Sequence, residues 1–533
     1  EPYPLNEEQH KAFSEIAKNL NSDTSKTFLL HGVTGSGKTE VYIHLLREVL
    51  QSGKTGMVLV PEIALTPQFL HRFSRVFGDE LTMYHSRLSD RERKKAWLQI
   101  HEGEKSIVIG TRSAVFMPLK DPAVIILDEE HDHSYKQEDP APRYHAREVA
   151  MMRAQQNGAT VVLGSATPSM QAMQLANSGK MQYLKLNSRY SEAILPSVDI
   201  IDLTQYRSAM KGPLAVPLFN AVCEALQRKE QVILLQNRRG FSNYLQCMNC
   251  GHIPQSPETS VSLTYHKHKN MLLCHYSGYS RRADSQCEEC GSADLQARGT
   301  GTQKIEEELA GLFPEARILR MDRDTTSGKD GHSRIIRAFE KQEADILLGT
   351  QLVTKGLDFP NVTVVGVVDA DTELAFPSFQ SEERSFQMLN QVSGRAGRST
   401  KEGKVYIQTR QADHPSFKYI RIHDYSSFAA EELSFRESLH YPPFSRLIGI
   451  TFKGRKDAEV KKAAFLFSDL LRKAVNEEII LGPSPSALHV LKGYYFWESS
   501  LKLQPEKGAH FIEHLFDTLF NHYRTLNPPG SVR

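Results

Sequence analysis

Over the first 410 residues, short apolar runs alternate with stretches whose apolar residues recur every three or four positions. The runs are Phe28-Leu29-Leu30, Met57-Val58-Leu59-Val60, Ile107-Val108-Ile109, Ala123-Val124-Ile125-Ile126-Leu127 and Thr160-Val161-Val162-Leu163. The longer stretches include Ala12, Phe13, Ile16 and Leu20, with Asn6 placed to cap them, and Val41, Tyr42, Leu45, Leu46, Val49 and Leu50. Runs without polar alternation suit strands buried on both faces, and helices between them cover those faces, so a parallel α/β sheet is expected. A second alternation starts near residue 215, with strands expected at 231–236, 317–321, 345–349, 362–368 and 404–408. In sheets of this kind ligands bind at the carboxyl ends of the strands. Beyond 430 the pattern changes. A rigid turn, Tyr441-Pro442-Pro443-Phe444, leads to a strand at 447–452, a helix at 457–475 and a further strand–helix pair, as in a small α+β domain. The expected architecture is α/β, with one lobe at 1–195, a second at 196–244 and 299–430, a cysteine-rich insertion at 245–298 and an α+β domain at 431–533.

The length of 533 residues fits three or four domains at about 150 residues each. A net charge of +2 is too small to argue for nucleic acid, so any such surface must be a local patch. No apolar run approaches the roughly 18 residues needed to cross a membrane, and a soluble chain is expected. The first residues show no signal-peptide pattern, but the sequence opens on Glu1 rather than methionine, so this says little about a leader. Five of six cysteines lie between 247 and 290, which points to metal ligands more than to a secreted disulfide framework.

The chemistry starts at Gly32-Val33-Thr34-Gly35-Ser36-Gly37-Lys38-Thr39, between a strand and a helix. Glycines here let backbone N–H groups cradle phosphates at a helix start, Lys38 neutralises the β- and γ-phosphates, and the Thr39 hydroxyl holds Mg²⁺. The run at 123–127 delivers Asp128-Glu129-Glu130-His131 into a loop. Asp128 would serve the Mg²⁺ shell, and Glu129 would orient and deprotonate the attacking water. His131, and Thr167 in Gly164-Ser165-Ala166-Thr167, are candidates to sense phosphate and pass the change on. Gln9 is a candidate adenine contact through its amide, against a bland reading as surface polarity. In the second lobe, Gln391-Val392-Ser393-Gly394-Arg395-Ala396-Gly397-Arg398 offers Arg395 and Arg398 as a γ-phosphate clamp from across a cleft. Two Cys-x-x-Cys-Gly knuckles, at Cys247 and Cys250 and at Cys287 and Cys290, have the spacing of a closed structural Zn²⁺ site. The 36 residues between them suggest a nested unit. Cys223 reads as a packed helical residue, Cys274 stands alone, and His266, His268 and His275 read as solvated side chains. Lys492-Gly493-Tyr494-Tyr495-Phe496-Trp497 fits base stacking, but an ordinary half-buried strand is favoured.

These motifs, in this order, resemble superfamily 2 helicases, whose two lobes are RecA-like. More narrowly they resemble the primosomal protein N′ family of bacterial replication-restart helicases. The most specific marks are 32–42, Pro61-Glu62-Ile63-Ala64-Leu65-Thr66-Pro67-Gln68, Asp128-Glu129-Glu130-His131 and Thr354-Lys355-Gly356-Leu357-Asp358-Phe359, with the cysteine insertion. The resemblance implies an ATP-dependent 3′→5′ DNA helicase that acts at stalled or repaired forks to restart replication and assemble the primosome. The alternative is a DNA- and partner-binding primosome scaffold with little unwinding activity; an RNA helicase or duplex translocase is a further rival. Implied partners are single-stranded and forked DNA, single-strand binding protein, primosome proteins and the replicative helicase loader, with no membrane; the implied location is cytoplasmic and nucleoid-associated. The resemblance strengthens Gln9 and adds Gly356 and Asp358 to the ATP site. It makes 132–148 an aromatic-rich loop linking DNA to hydrolysis, with His131, Tyr135, Lys136, Arg143, Tyr144, His145 and Thr167 as coupling residues. Its aromatics would stack on bases while Lys136, Arg143 and Arg147 meet phosphates. The family has eight cysteines. Here the inner four positions are Ser256, Thr259, Cys274 and Ser277, so one Zn²⁺ is expected and the inner site is lost. Ser393 replaces the usual alanine without expected consequence. The family's N-terminal fork-binding and winged-helix domains do not occur in this sequence, and a piece of a longer protein is expected.

Overall fold

The computed structural model describes residues 2–532 apart from 21, 23, 63, 190–194, 237–243, 258–260, 267–269, 276, 299–301, 327–330, 351–358, 397–402, 476–479, 527 and 529–531. The first sheet contains β1 (Lys26–Gly32), β2 (Thr55–Leu59), β3 (Leu81–Tyr84), β4 (Ile107–Gly110), β5 (Pro122–Asp128), β6 (Thr160–Ser165) and β7 (Gln182–Leu186), in the order β3-β4-β2-β5-β6-β1-β7. All pairings are parallel. The five inner strands are the apolar runs of the sequence. β3 and β7 escape that reading because each is an edge strand with polar, exposed positions in its pattern (Leu81-Thr82-Met83-Tyr84 and Gln182-Tyr183-Leu184-Lys185-Leu186).

The second sheet starts from β8 (Ser197–Asp202); a short hairpin, β9 (Met210–Lys211) with β10 (Leu214–Ala215), follows it. Its other strands are β11 (Gln231–Gln236), β17 (Ile318–Met321), β18 (Ile346–Gly349), β19 (Val362–Asp369) and β20 (Lys404–Thr409), ordered β17-β18-β11-β19-β20-β8 and parallel. Between β11 and β17 lies the insertion. Antiparallel β12 (Tyr244–Cys247) and β16 (Leu295–Arg298) frame it, and β13 (Thr264–His266), β14 (Met271–Leu273) and β15 (Ser280–Arg282) form a small sheet inside. The C-terminal sheet, β21 (Arg446–Gly454), β22 (Ile480–Leu491) and β23 (Tyr494–Leu503), is covered by helices Asp457–Ala474 and Ala509–Thr525.

The two large sheets share buried packing. One apolar cluster runs from Leu29, Met57 and Ile125 through Met170 to Phe386, Tyr425, Phe428 and Ile233. Helix Tyr425–Ser438 runs through the expected boundary at 430 and reaches both sheets' loops: the Tyr425 hydroxyl donates to Pro168 O at 2.6 Å, and Arg436 pairs with Glu383 at 2.8 Å. Among the described residues no helix is long and apolar enough to cross a membrane.

Candidate nucleotide site and nucleic-acid face

β1 ends at Gly32, and helix Lys38–Gln51 starts six residues later. The turn between them needs its glycines. Gly35 and Gly37 sit in the left-handed region at φ 82° and 77°, and a Cβ on Gly32 would overlap Ser36 Oγ. Lys38 folds back and donates to Gly32 O at 2.8 Å, which holds its ammonium inside the loop. Gln9 is fully buried, so the bland surface reading does not hold. Its side-chain oxygen accepts Asn6 N–H at 2.9 Å while Asn6 Oδ1 accepts Gln9 N–H at 2.9 Å, and its Nε2 donates to Ser36 O at 2.8 Å. The N-terminal helix is thus tied to the phosphate loop through one amide.

Asp128 closes β5 beneath this loop. The buried Tyr42 hydroxyl, one turn into the loop's helix, donates to Asp128 Oδ1 at 2.9 Å. Gly164 of β6 makes room for that hydroxyl: a Cβ there would overlap Tyr42 Oη and lie 2.9 Å from Cζ. Burial first, then the Glu129 carboxylate, push the Asp128 carboxyl up to about 6 against the pull of Lys38. Glu129 stands at φ 50°, a strained conformation for a residue with a side chain. Its carboxylate is 26% exposed and 3.6 Å from His131 Nδ1. That nitrogen is also 2.7 Å from Ser165 Oγ, which accepts Thr167 N–H at 3.0 Å. The structure therefore brings Asp128, Glu129, His131 and Thr167 together. Together with the Lys38 loop, these residues can hold a phosphate chain, a divalent cation (Thr39 hydroxyl, Asp128 carboxylate) and a water beside a carboxylate base.

Lobe two closes onto the same place. A Cβ on Gly394 would be 3.0 Å from Thr34 of the phosphate loop, and Arg395 next to it is buried. Gln387 Nε2 donates to Thr167 O at 3.4 Å, and Glu383 accepts Met170 N–H at 3.0 Å. A cavity of about 210 Å³ remains at the seam, lined by Thr34, Ala166, Asn187, Asn390, Gly394 and Tyr425 among others. Arg398, Gly356 and Asp358 lie outside the described residues. Ser393 is buried and its hydroxyl donates to Leu389 O at 2.7 Å within its own helix, a harmless use of the extra oxygen.

The loop after Asp128 departs from expectation. Tyr135 is fully buried; its hydroxyl donates to Leu59 O (2.9 Å) and Asp128 O (2.7 Å), so it locks β2 to β5 and cannot stack on a base. Arg147 is buried too. It pairs with Glu130 at 3.1 Å and with Glu148 at 3.1 Å, so it meets carboxylates instead of phosphates. Glu130 in turn accepts Ser169 N–H at 2.6 Å and clamps the loop after β6. His145 is half-buried and caps helix Ala146–Asn157 by accepting Arg147 N–H at 3.2 Å; burial, Arg147 and Lys136 push it down to about 3, so it is neutral. What remains outward is Lys136, paired across a bridge with His145, Arg143, and the half-buried Tyr144 ring under Arg112 at 5.9 Å and edge-on to exposed Phe116 at 4.9 Å. Glu130 and Tyr42 are passed over in the sequence, and Arg147 reads there as a DNA contact, because they look like a solvated charge, an apolar helix position and a DNA cation. The doubled glutamate after Asp128 and the arginine 17 residues on were the available signal.

In the insertion, the sulfurs of Cys247, Cys250, Cys287 and Cys290 lie within 4.8 Å of one another, two pairs at 3.6 Å. A tetrahedron with Zn–S of about 2.3 Å has edges of about 3.8 Å, so the four thiolates fit that ion and would hold it as a structural staple. Each knuckle carries the same bonds: Cys247 N–H to His252 O and Gly251 N–H to Cys247 O, Cys287 N–H to Ser292 O and Gly291 N–H to Cys287 O. Of the inner positions, Ser256 and Cys274 keep this backbone, and only Cys274 keeps a thiol. Cys274 N–H donates to Tyr279 O, Gly278 N–H to Cys274 O, and Ser256 N–H to Val261 O. Cys274 instead packs with Leu245, Val261, Leu263 and Leu272 in one buried apolar cluster, and Thr259 lies outside the described residues. His275 is buried, not solvated: its Nδ1 bonds Pro485 O at 2.7 Å, and Ser484 Oγ donates to His275 O at 2.8 Å, docking the inner loop on the C-terminal sheet. His266 is half-buried, and His268 lies outside the described residues. In that sheet Trp497 is in the core while Lys453 lies over the Tyr494 and Phe496 rings (4.5 and 5.7 Å).

Comparison with known proteins gives three family matches: "Type III restriction enzyme, res subunit" over 2–170, "Helicase conserved C-terminal domain" over 299–400 and "Primosomal protein N C-terminal domain" over 437–527. The replication restart protein PriA of Bacillus subtilis is 43% identical over 98% of this chain and 65% of its own length. That of Haemophilus influenzae is 40% identical over 93% of this chain and 68% of its own. The chain spans 58–65% of the first three such relatives. A solved structure of RecG bound to a three-way DNA junction matches 81% of this chain and 47% of its own at TM-score 0.50 and 16% identity, a likeness of fold. With 38–43% identity across both sheets, the insertion and the C-terminal domain, the chain belongs to the PriA family of replication restart proteins.

Proposed function

We propose that the chain is the ATP-driven motor of a replication-restart DNA helicase. What supports this is convergence: the phosphate loop with Lys38 and the Asp128-Glu129 pair lie together, and Gly394 of the second lobe, next to the buried Arg395, comes against Thr34 of that loop. In this reading ATP lies between the lobes with its adenine toward Gln9. Thr39 and Asp128 hold Mg²⁺, which supplies charge neutralisation on the phosphates when bound. Glu129 orients the attacking water, and Arg395 with Arg398 meets the γ-phosphate from across the seam; arginines so placed are worth about 10³–10⁵ in rate. Gly356 and Asp358 complete the site. The bonds from the 165–170 loop to Gln387 and Glu383 carry closure of the seam to the nucleic-acid face.

In this reading that face comprises Lys136, Arg143 and Tyr144 together with Arg112 and Phe116, which lie against the Tyr144 ring. Its chemistry, cations beside an aromatic edge, suits single-stranded DNA. The relatives' name supports a role in replication restart; in this reading the chain acts at forks with 3′→5′ unwinding and assembly of the primosome, with single-strand binding protein and the replicative helicase loader as partners, in a cytoplasmic, nucleoid-associated setting. One Zn²⁺ held by Cys247, Cys250, Cys287 and Cys290 staples the insertion.

The test is ATP turnover against single-stranded DNA concentration for the chain and Lys38→Ala. DNA-stimulated turnover that vanishes in Lys38→Ala is expected. Zinc-replete protein that binds DNA without turnover refutes the motor and leaves the scaffold.

A further inference from the structure

Two stretches singled out in the sequence hold residues with no task in the motor so far: 32–42, with Glu40 directly after Thr39, and 61–68 after β2. The structure joins them. Glu40 is 2% exposed at the first turn of the phosphate-loop helix. One of its carboxylate oxygens pairs with Arg72 Nη2, and the other accepts Tyr3 N–H at 3.1 Å. Arg72 belongs to helix Pro67–Phe77, which continues from the 61–66 loop and is capped by Thr66. Arg72 and Arg75 both lie 5.8 Å from the Tyr3 ring, so the N-terminal segment closes over the pair from outside. At its other end the same helix crosses to the second lobe: Gln68 Nε2 donates to Glu340 at 2.7 Å. A single helix therefore touches the nucleotide loop through a buried charge and the partner lobe through an exposed amide.

We infer that the Glu40–Arg72 pair is a positioning link that couples the phosphate loop to the nucleic-acid face. It rests on the motor reading above. The physical ground is that the loop's helix start moves with the phosphates, and a buried carboxylate cannot be left without its cation. Helix Pro67–Phe77 must follow Glu40 or break the pair. Following it shifts the 61–66 loop, which leaves β2 just after Leu59, whose carbonyl takes the Tyr135 hydroxyl beside the Lys136 carbonyl that Arg112 bonds at 2.9 Å, and it shifts Gln68 against Glu340. Neither Glu40 nor Arg72 touches the reacting groups in this arrangement.

The test uses the whole chain and oligo-dT as probe. Turnover with and without DNA, and the DNA dissociation constant with and without a non-hydrolysable ATP analogue, are measured for wild type, Glu40→Gln, Arg72→Gln, the double variant and Gln68→Ala. Coupling is reciprocal between sites and typically about 5–150-fold. In Glu40→Gln the DNA stimulation and the analogue's effect on DNA affinity should shrink together by about fivefold or more, while basal turnover and KM for ATP stay within about twofold. The double variant should lose no more than Glu40→Gln. Gln68→Ala, which leaves the buried pair intact, should lose part of the same coupling and serves if Glu40→Gln fails to fold. Full coupling in Glu40→Gln, or in Gln68→Ala should Glu40→Gln not fold, overturns the link alone. So does an equal fall in basal and stimulated rates, because that marks a role in the loop itself. A wild type without DNA stimulation overturns the motor reading and the link with it.

Discussion

Gly164→Ala is the sharpest probe of how the site is built. The added Cβ would overlap the Tyr42 hydroxyl and press on Cζ at 2.9 Å, in a place with no exposed surface to expand into. Overpacking of a filled core costs about 1–3 kcal/mol. Displacing the phenol also breaks its 2.9 Å hydrogen bond to the Asp128 carboxylate, and a bond to a charged group contributes about 1.5–3 kcal/mol. The sum is roughly 2.5–6 kcal/mol in the first lobe. At about 2–4 °C per kcal/mol for a domain of that size, its melting midpoint should fall by roughly 5–24 °C. Tyr42→Phe alone should cost only the hydrogen bond. In the double variant the colliding oxygen is gone, and Cζ need yield only a few tenths of an ångström, so the double variant should be more stable than Gly164→Ala alone. The assay is differential scanning calorimetry of all four proteins as a double-mutant cycle, with a coupling of about 1–3 kcal/mol expected between the two positions. Additive losses, or a Gly164→Ala midpoint within a degree of wild type, would refute the packing argument.

Other perturbations separate structural from DNA-facing charge. Arg147→Ala strands the buried Glu130 carboxylate and should cost about 3–5 kcal/mol in thermal unfolding with little change in the salt slope of DNA binding. Arg143→Ala should leave the midpoint alone and flatten that slope by about one phosphate contact. Metal analysis should return one Zn²⁺ per chain, lost in Cys247→Ser with Cys287→Ser. Ser256→Cys, Thr259→Cys and Ser277→Cys together should raise the count to two; a count of one would show that the inner backbone no longer accepts the ion. Burial pushes His275 down to about 4, mainly against its bond to Pro485. Below its unfolded value of about 6.5 the unfolded chain takes the proton first, so its contribution is whole above that pH and is lost between about 6.5 and 4. His275→Asn should flatten the unfolding midpoint across that window and leave it unchanged in slope above pH 7.

Local pattern was enough for much of this protein because many of its signals are local. Inner strands announce themselves as unbroken apolar runs, because both their faces are covered. A phosphate loop needs glycines at fixed offsets, because φ must be positive at Gly35 and Gly37. Two thiolate knuckles need their own glycines, and the loss of inner thiols at Ser256 and Ser277 is written in the residue types. Edge strands β3 and β7 were illegible because one open side lets polar residues in.

Whether a charged or aromatic side chain faces water or a partner is a different kind of fact. Tyr135, Arg147 and His145 sit among residues that do face outward, and nothing in their spacing marks them as a strand lock, a buried ion pair and a helix cap. Their partners (Leu59, Glu130 and the Arg147 amide) are brought to them by the sheet and by the turn into the helix. The same holds for Tyr42 on Asp128, Gln9 on Ser36 and Glu40 on Arg72, across 86, 27 and 32 residues of chain. Sequence alone determined which chemistry the chain carries, since residue types and backbone freedom set it. Only the tertiary structure decided which groups that chemistry can use, because burial and pairing depend on neighbours that the fold brings in from elsewhere along the chain.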